Sequence, residues 1–153
     1  MAMVSFRDSR PGTLSERARK VFQLANQEAQ RLNHSAIGTE HLLIGLAKES
    51  LSDAARLLRE HGFDLRWLRS RLEAVYPPGK GQAILPGSLG YTLQLRAFVE
   101  DVVEAAKTAG VLPLTPEYLL SALLEAPGEL VCEILEPRKQ PVAQLRRALR
   151  GVT

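Results

Sequence analysis

Three side chains with the chemistry to hold a metal, His34, Glu40 and His41, fall within eight residues of one another. Their spacing argues against that use. No H-E-x-x-H or other compact ligand set surrounds them, and neighbouring residues such as Glu40 and His41 point about 100° apart on a helix. Histidines here read as packing residues at a loop and a helix start, so no metal is expected. The one cysteine, Cys132, excludes an internal disulfide framework and suits a reducing cytoplasm. Set between Val131 and Ile134, it reads as a small buried hydrophobe rather than a nucleophile. No Ser–His–Asp or Cys–His arrangement is legible, and there is no G-x-x-x-x-G-K-[ST] loop for ATP. The residues give an enzyme no positive support and call for no cofactor. What remains is a pair of glutamates, Glu40 and Glu117, each at the opening of an apolar helical pattern. A carboxylate there complements the helix dipole.

The chain that positions these residues has 153 residues, is 45% hydrophobic and carries a net charge of +3. That is enough for one compact domain with a substantial core. No apolar run approaches the roughly 20 residues that span a bilayer, and Met1 to Gly12 lacks the hydrophobic stretch of an export signal. Arginines cluster at Arg56, Arg59, Arg66, Arg69 and Arg71, and again at Arg146, Arg147 and Arg150. Glu60, Asp64 and Glu73 interrupt the first cluster, which reads as a solvated helical face with weak attraction for an acidic partner. No helix–turn–helix, zinc-finger or aromatic-studded basic pattern points to nucleic acid.

Sliding the second half of the chain over the first gives one ungapped register, offset by 77 residues. Glu40 falls on Glu117, Leu42 on Leu119, Leu43 on Leu120 and Leu46 on Leu123. Arg19 falls on Arg96, Ala29 on Ala106, Leu58 on Leu135, Leu68 on Leu145 and Leu72 on Leu149, with conservative pairs between. His34 and His41 fall on Val111 and Tyr118, which are not ligands. The chain is a tandem duplication. Apolar residues at helical spacing, with Ser15, Ser52 and Asp64 as caps, predict four helices in the first copy, over about 15–32, 39–48, 52–61 and 64–75. Gly62 stops the third. Helices at 92–109, 116–125, 128–136 and 141–150 repeat the plan, with Thr115 as cap and Pro116 at the first helical position. The expectation is one all-α domain over 1–153: an eight-helix bundle with a pseudo-twofold, made of copy one (14–75), a Pro/Gly-rich extended connector (76–90) and copy two (91–150). Trp67 lies off the Leu65–Leu68–Leu72 stripe. With Phe63 it is either a candidate protein-contact patch or the cover of a helix junction.

The run Ser15-Glu16-Arg17-Ala18-Arg19-Lys20-Val21, then Asn26-Gln27-Glu28-Ala29, Leu32-Asn33-His34 and Ile37-Gly38-Thr39-Glu40-His41-Leu42-Leu43, closely resembles the Clp N-terminal repeat. That repeat occurs twice at the front of ClpC- and ClpA-type protein unfoldases and in small stand-alone relatives. The resemblance spans roughly residues 14 to 150. It implies a non-catalytic cytoplasmic module that docks adaptor proteins or phosphoarginine-tagged substrates for a Clp unfoldase or protease. An accessory subunit that binds and stabilises a Clp protease core is the alternative. The connector and the leader Met1 to Gly12 favour a stand-alone protein over an excised domain. By the same resemblance, each copy's glutamate receives the guanidinium of phosphoarginine while the start of a first helix holds the phosphate. The first site would be Glu40 with Ser15 and Glu16, and the second Glu117 with Thr92. The second departs from the pattern, with Thr115-Pro116-Glu117-Tyr118 in place of Gly-Thr-Glu-His and Leu93 in place of Glu16.

Overall fold

The computed structural model describes residues 12–79 and 89–153. The leader up to Pro11 and connector residues 80–88 lie outside the described residues. The described residues form eight α-helices: α1 (Glu16–Arg31), α2 (Thr39–Lys48), α3 (Asp53–Glu60), α4 (Leu65–Val75), α5 (Leu93–Ala109), α6 (Pro116–Glu125), α7 (Gly128–Leu135) and α8 (Lys139–Arg150), with a 3-10 turn over Glu136–Arg138. The only β pairing among the described residues is two isolated bridges. No helix among them is long and apolar enough to cross a membrane.

Five of these helices start where a side chain accepts a first-turn amide. Ser15, Ser52, Asp64, Thr92 and Thr115 accept from Ala18, Ala55, Trp67, Leu95 and Tyr118. Each such cap is worth about 1 kcal/mol. Helices α2 and α6 lie 77 positions apart to the residue. The stripes that defined the repeat form one core, with Val21, Leu43, Leu68, Val99, Leu120 and Leu145 at 0–1% exposure.

Two differences between the copies concern how the helices pack and turn. In copy one α1 lies hard against α2 because Gly45 has no side chain; a Cβ there would meet the Val21 carbonyl at 2.5 Å. The matching residue in copy two is Ala122, and α6 stands off from α5 there, leaving a cavity between them. The second difference is the turn between helices three and four. Gly62, in the left-handed region at φ +89°, ends the first copy's turn after α3. Its counterpart, Lys139, has no such freedom, so α7 runs through the 3-10 turn almost directly into α8, which begins two residues before the expected 141.

Two expectations need correction. Cys132 is exposed, not buried: Val131, Ile134 and Leu135 take the core face of α7, and one residue's rotation turns the cysteine outward. Phe63 is not a contact surface, because it is fully buried directly after the Gly62 turn. Half-buried Trp67 packs edge-on to Phe63 at 5.5 Å between centroids, and the Arg138 guanidinium lies 4.4 Å over its ring. Arg138 also donates to the Gly62 carbonyl. The tryptophan therefore seals a junction between copies.

Copy one also contains a buried charge. Glu28, at 0% exposure, accepts from Arg31 at 2.6 Å and from Arg69 at 2.9 Å, and Arg31 reaches on to Glu73. Burial pushes the Glu28 carboxyl up, but the two guanidiniums outweigh it and hold it below the usual carboxylate range.

Candidate functional site: two junctions of helix starts

The bridges reveal how the copies are joined. Leu14 pairs with Leu114, with Ser15 N–H donating to the Leu114 carbonyl at 2.8 Å and Leu114 N–H to the Thr13 carbonyl at 2.7 Å. The image of that pairing joins Ile37 to Tyr91, with Thr92 N–H donating to the Ile37 carbonyl at 2.9 Å and Ile37 N–H to the Gly90 carbonyl at 2.8 Å. Each copy's first helix thus starts beside the second helix of the other copy.

This regroups the site residues. Ser15 and Glu40 do not meet. Gly45 packs against Val21 and Ala25 in the antiparallel α1–α2 pair, so Ser15 and Glu40 lie at opposite ends, about 20 Å apart along the helix axes. The start of α1, with Ser15 and exposed Glu16, lies instead beside Leu114, just before the α6 start that carries Thr115 and Glu117, and Thr92 lies beside Ile37, just before the α2 start that carries Gly38 and Glu40. The residues anticipated at each site are brought to helix starts, but in crossed pairs. An ungapped register cannot distinguish crossed from uncrossed copies. The available signal was the apolar residue before each cap, Leu14 and Tyr91, which needs a partner from outside its own helix.

At the first junction three helix starts converge: α1, α6 and α3. The Glu117 carboxylate accepts from Ala54 N–H, in the first turn of α3, at 3.0 Å. Arg17 donates to the Leu51 carbonyl at 2.6 Å, tying α1 to the turn before α3. Backbone amides and dipoles of three helices thus face one region, an environment that favours negative charge. Sequence reasoning missed Arg17, Leu51 and Ala54, because nothing local links them to Glu117.

The second junction repeats the layout with α5, α2 and α7. The Gln94 side chain lies against Gly128, matching Arg17 beside Leu51. Its glutamate behaves differently. Glu40 is 3% exposed and folded back over Gly38, where an added Cβ would lie 2.6 Å from its Cδ. Burial raises its carboxyl above the usual range, opposed by its own backbone amide and by His34. The counterpart of Gly38 is Thr115, whose side chain fills that space, so Glu117 reaches outward to α3 instead.

The histidines beside Glu40 occupy each other. Gly38 N–H donates to His41 Nδ1 at 2.9 Å, which fixes the His41 proton on Nε2. His41 Nε2 lies 2.8 Å from His34 Nδ1, and His34 Nε2 lies 2.9 Å from the Pro77 carbonyl. One direction satisfies every group: Gly38 N–H to His41, His41 to His34, His34 to Pro77, with both rings neutral. His34 also stacks on Tyr76 at 3.8 Å between centroids. Burial, helped by His34 and opposed by Glu28, pushes His41 down to about 3.

Residues 13–137 match the Clp repeat (R) N-terminal domain family. Over 122 residues the chain is 32% identical to the chloroplastic ClpA homolog of the ATP-dependent Clp protease ATP-binding subunit from Brassica napus, covering 80% of this chain and 14% of that protein. It is likewise 32% identical to chloroplastic chaperone protein ClpC1 from Arabidopsis thaliana, covering 13% of that protein. The chain thus spans about one seventh of the curated relatives it matches. The N-terminal domain of the ClpD chaperone from Arabidopsis thaliana shares the fold, with a TM-score of 0.74 at 18% identity, covering 92% of this chain and 94% of that one. A chain from a malarial protein secretion system superposes with a TM-score of 0.66 at 20% identity, covering 92% and 97%. The family match over most of the chain and the identity to these relatives agree: the chain belongs to the Clp N-terminal repeat family.

Proposed function

We propose that this chain is a non-catalytic docking module that presents adaptor proteins or phosphoarginine-tagged substrates to a Clp unfoldase or protease. The observation that supports the reading is the pair of junctions, each setting the start of a first helix beside the segment that opens the other copy's second helix, whose first turn carries Glu117 or Glu40. A phosphoarginine carries a dianionic end for helix amides and a planar guanidinium for a carboxylate. The phosphate would lie near Ser15 and the guanidinium at Glu117, with Thr92 and Glu40 forming the matching pair. Half-buried Glu117 is open to such a ligand, whereas Glu40 must first be uncovered. The first junction is the stronger site in this reading because its carboxylate is the accessible one, with exposed Glu16 at the same helix start. Work in the cytoplasm is part of the proposal; the curated relatives named above are chloroplast proteins.

Calorimetric titration with phosphoarginine, and with arginine and phosphate as controls, tests this. Millimolar or tighter binding is expected, weakened by about 1.5–3 kcal/mol in Glu117→Ala and less in Glu40→Ala. No binding at millimolar ligand, or full binding by both variants, would leave the accessory-subunit reading as the better one.

A further inference from the structure

Four large apolar side chains stand in water among the described residues, and two of them belong to the junctions. Leu51, 72% exposed, lies at the first, and Leu93, 77% exposed, at the second. The repeat itself requires neither. The image of Leu51 is Gly128, which has no side chain, and the image of Leu93 is Glu16, which is charged. Each junction thus carries one leucine at a place where its twin does without one.

A single exposed leucine is ordinary on a protein surface. Leu51 differs in how it is held. Its carbonyl accepts from Arg17 at 2.6 Å, and its N–H donates to Glu49 Oε1 at 3.1 Å. The next residue, Ser52, donates its hydroxyl to the Glu49 carbonyl at 2.9 Å and caps α3 by accepting from Ala55 N–H at 3.1 Å. Both backbone polar groups of Leu51 are therefore bonded, and a fixed turn offers the side chain to solvent. Short links tie this turn to both parts of the first junction. Arg17 stands two positions after Ser15, and Ala54, three positions after Leu51, gives its N–H to the Glu117 carboxylate at 3.0 Å. An extended peptide advances about 3.3–3.6 Å per residue, so the neighbour of an arginine seated at Glu117 reaches this rim.

We propose that Leu51 makes the first junction selective for a phosphoarginine that has an apolar residue beside it in the chain. The inference rests on the docking reading above and narrows its substrate class. The helix start at Ser15 and the Glu117 carboxylate hold the tagged side chain, and the adjoining apolar side chain covers Leu51. That contact removes apolar surface of both partners from water, whereas a polar neighbour gains nothing there. Leu93 offers the second junction a similar contact, but Glu40 is covered, so the first junction dominates.

Two end-blocked pentapeptides, Gly-Leu-phosphoarginine-Leu-Gly and Gly-Ser-phosphoarginine-Ser-Gly, are titrated calorimetrically into the full 153-residue chain. The leucine-flanked peptide is expected to bind about threefold to tenfold more tightly, the effect of partly burying one apolar side chain against another. Leu51→Ser should bring that ratio close to one, with circular dichroism still native because the position is exposed. Leu51→Gln, which keeps the length of the side chain, should do the same and decides the matter if the serine disturbs the turn. Equal binding of the two peptides by the wild type, or a preference that survives both substitutions, overturns this inference and leaves the docking reading standing. Binding of neither peptide at millimolar concentration overturns both.

Discussion

Replacing His41 with glutamine removes one titrating group from the buried relay and leaves a side chain that can still accept from Gly38. His41 is fully buried and stays neutral down to about pH 3 in the folded protein. In the unfolded chain it takes up a proton below about pH 6.5. Between those values the unfolded state binds more protons, so wild-type stability falls as the pH is lowered, by roughly 1.4 kcal/mol per pH unit. From pH 6.5 to 4.5 the wild type should therefore lose about 2–3 kcal/mol more than His41→Gln. Glu40 works the other way, because its raised carboxyl is relieved of its burial cost as protons bind, and Glu28 loses stability only as pH falls through its depressed range. Both are present in each protein, so the difference reports chiefly the loss of the histidine. Urea unfolding of the two proteins at pH 7.5, 6.5, 5.5 and 4.5 gives that difference directly. A flat difference from pH 6.5 to 4.5 would refute the reasoning, since it would mean that His41 protonates in the fold as readily as in water.

Leu43→Ala and Leu120→Ala, both at fully buried positions, should each cost about 2–5 kcal/mol in urea unfolding, and a loss below about 1 kcal/mol at both would overturn the helix phase. Gly45→Ala should destabilise by about 1–3 kcal/mol because its methyl meets the Val21 backbone, while Ala122→Gly on the open side should cost about 1 kcal/mol or less; equal effects in thermal melts would contradict the close α1–α2 contact. Glu28→Gln should cost about 1–3 kcal/mol, because Arg69 loses its carboxylate while Arg31 keeps Glu73, measurable as a lowered urea midpoint without change in slope. Cys132 should react with a maleimide in the native state at a rate close to that in urea, and protection would show that it is covered.

The fold was legible because repetition samples the pattern twice. A stripe such as Leu42–Leu43–Leu46, seen again at Leu119–Leu120–Leu123, is hard to mistake, and caps at Ser15 and Thr115 fixed where helices begin. The site was legible in residue type and position along the chain but not in partnership. Which glutamate faces which helix start depends on how the copies cross, and that is set by pairing of Leu14 with Leu114 and Ile37 with Tyr91, contacts between residues up to 100 positions apart. Cys132 was misread because an apolar neighbourhood in sequence does not fix which way a helical residue points. Trp67 was left with two readings because its cover, Arg138, comes from the far end of the other copy.

The crossed bridges also bear on how such a chain could arise. Each half lends the residue before its first helix to its twin and takes the same from it in return, an isologous exchange of the kind that relates identical subunits about a twofold axis. Two separate polypeptides of about half this length could make the same exchange, with a short tether adding only high local concentration. In those terms the fold is a homodimer written as one chain. Fusion then freed the halves to diverge, so that one could keep a charged pair buried while the other opened a cavity at the same place.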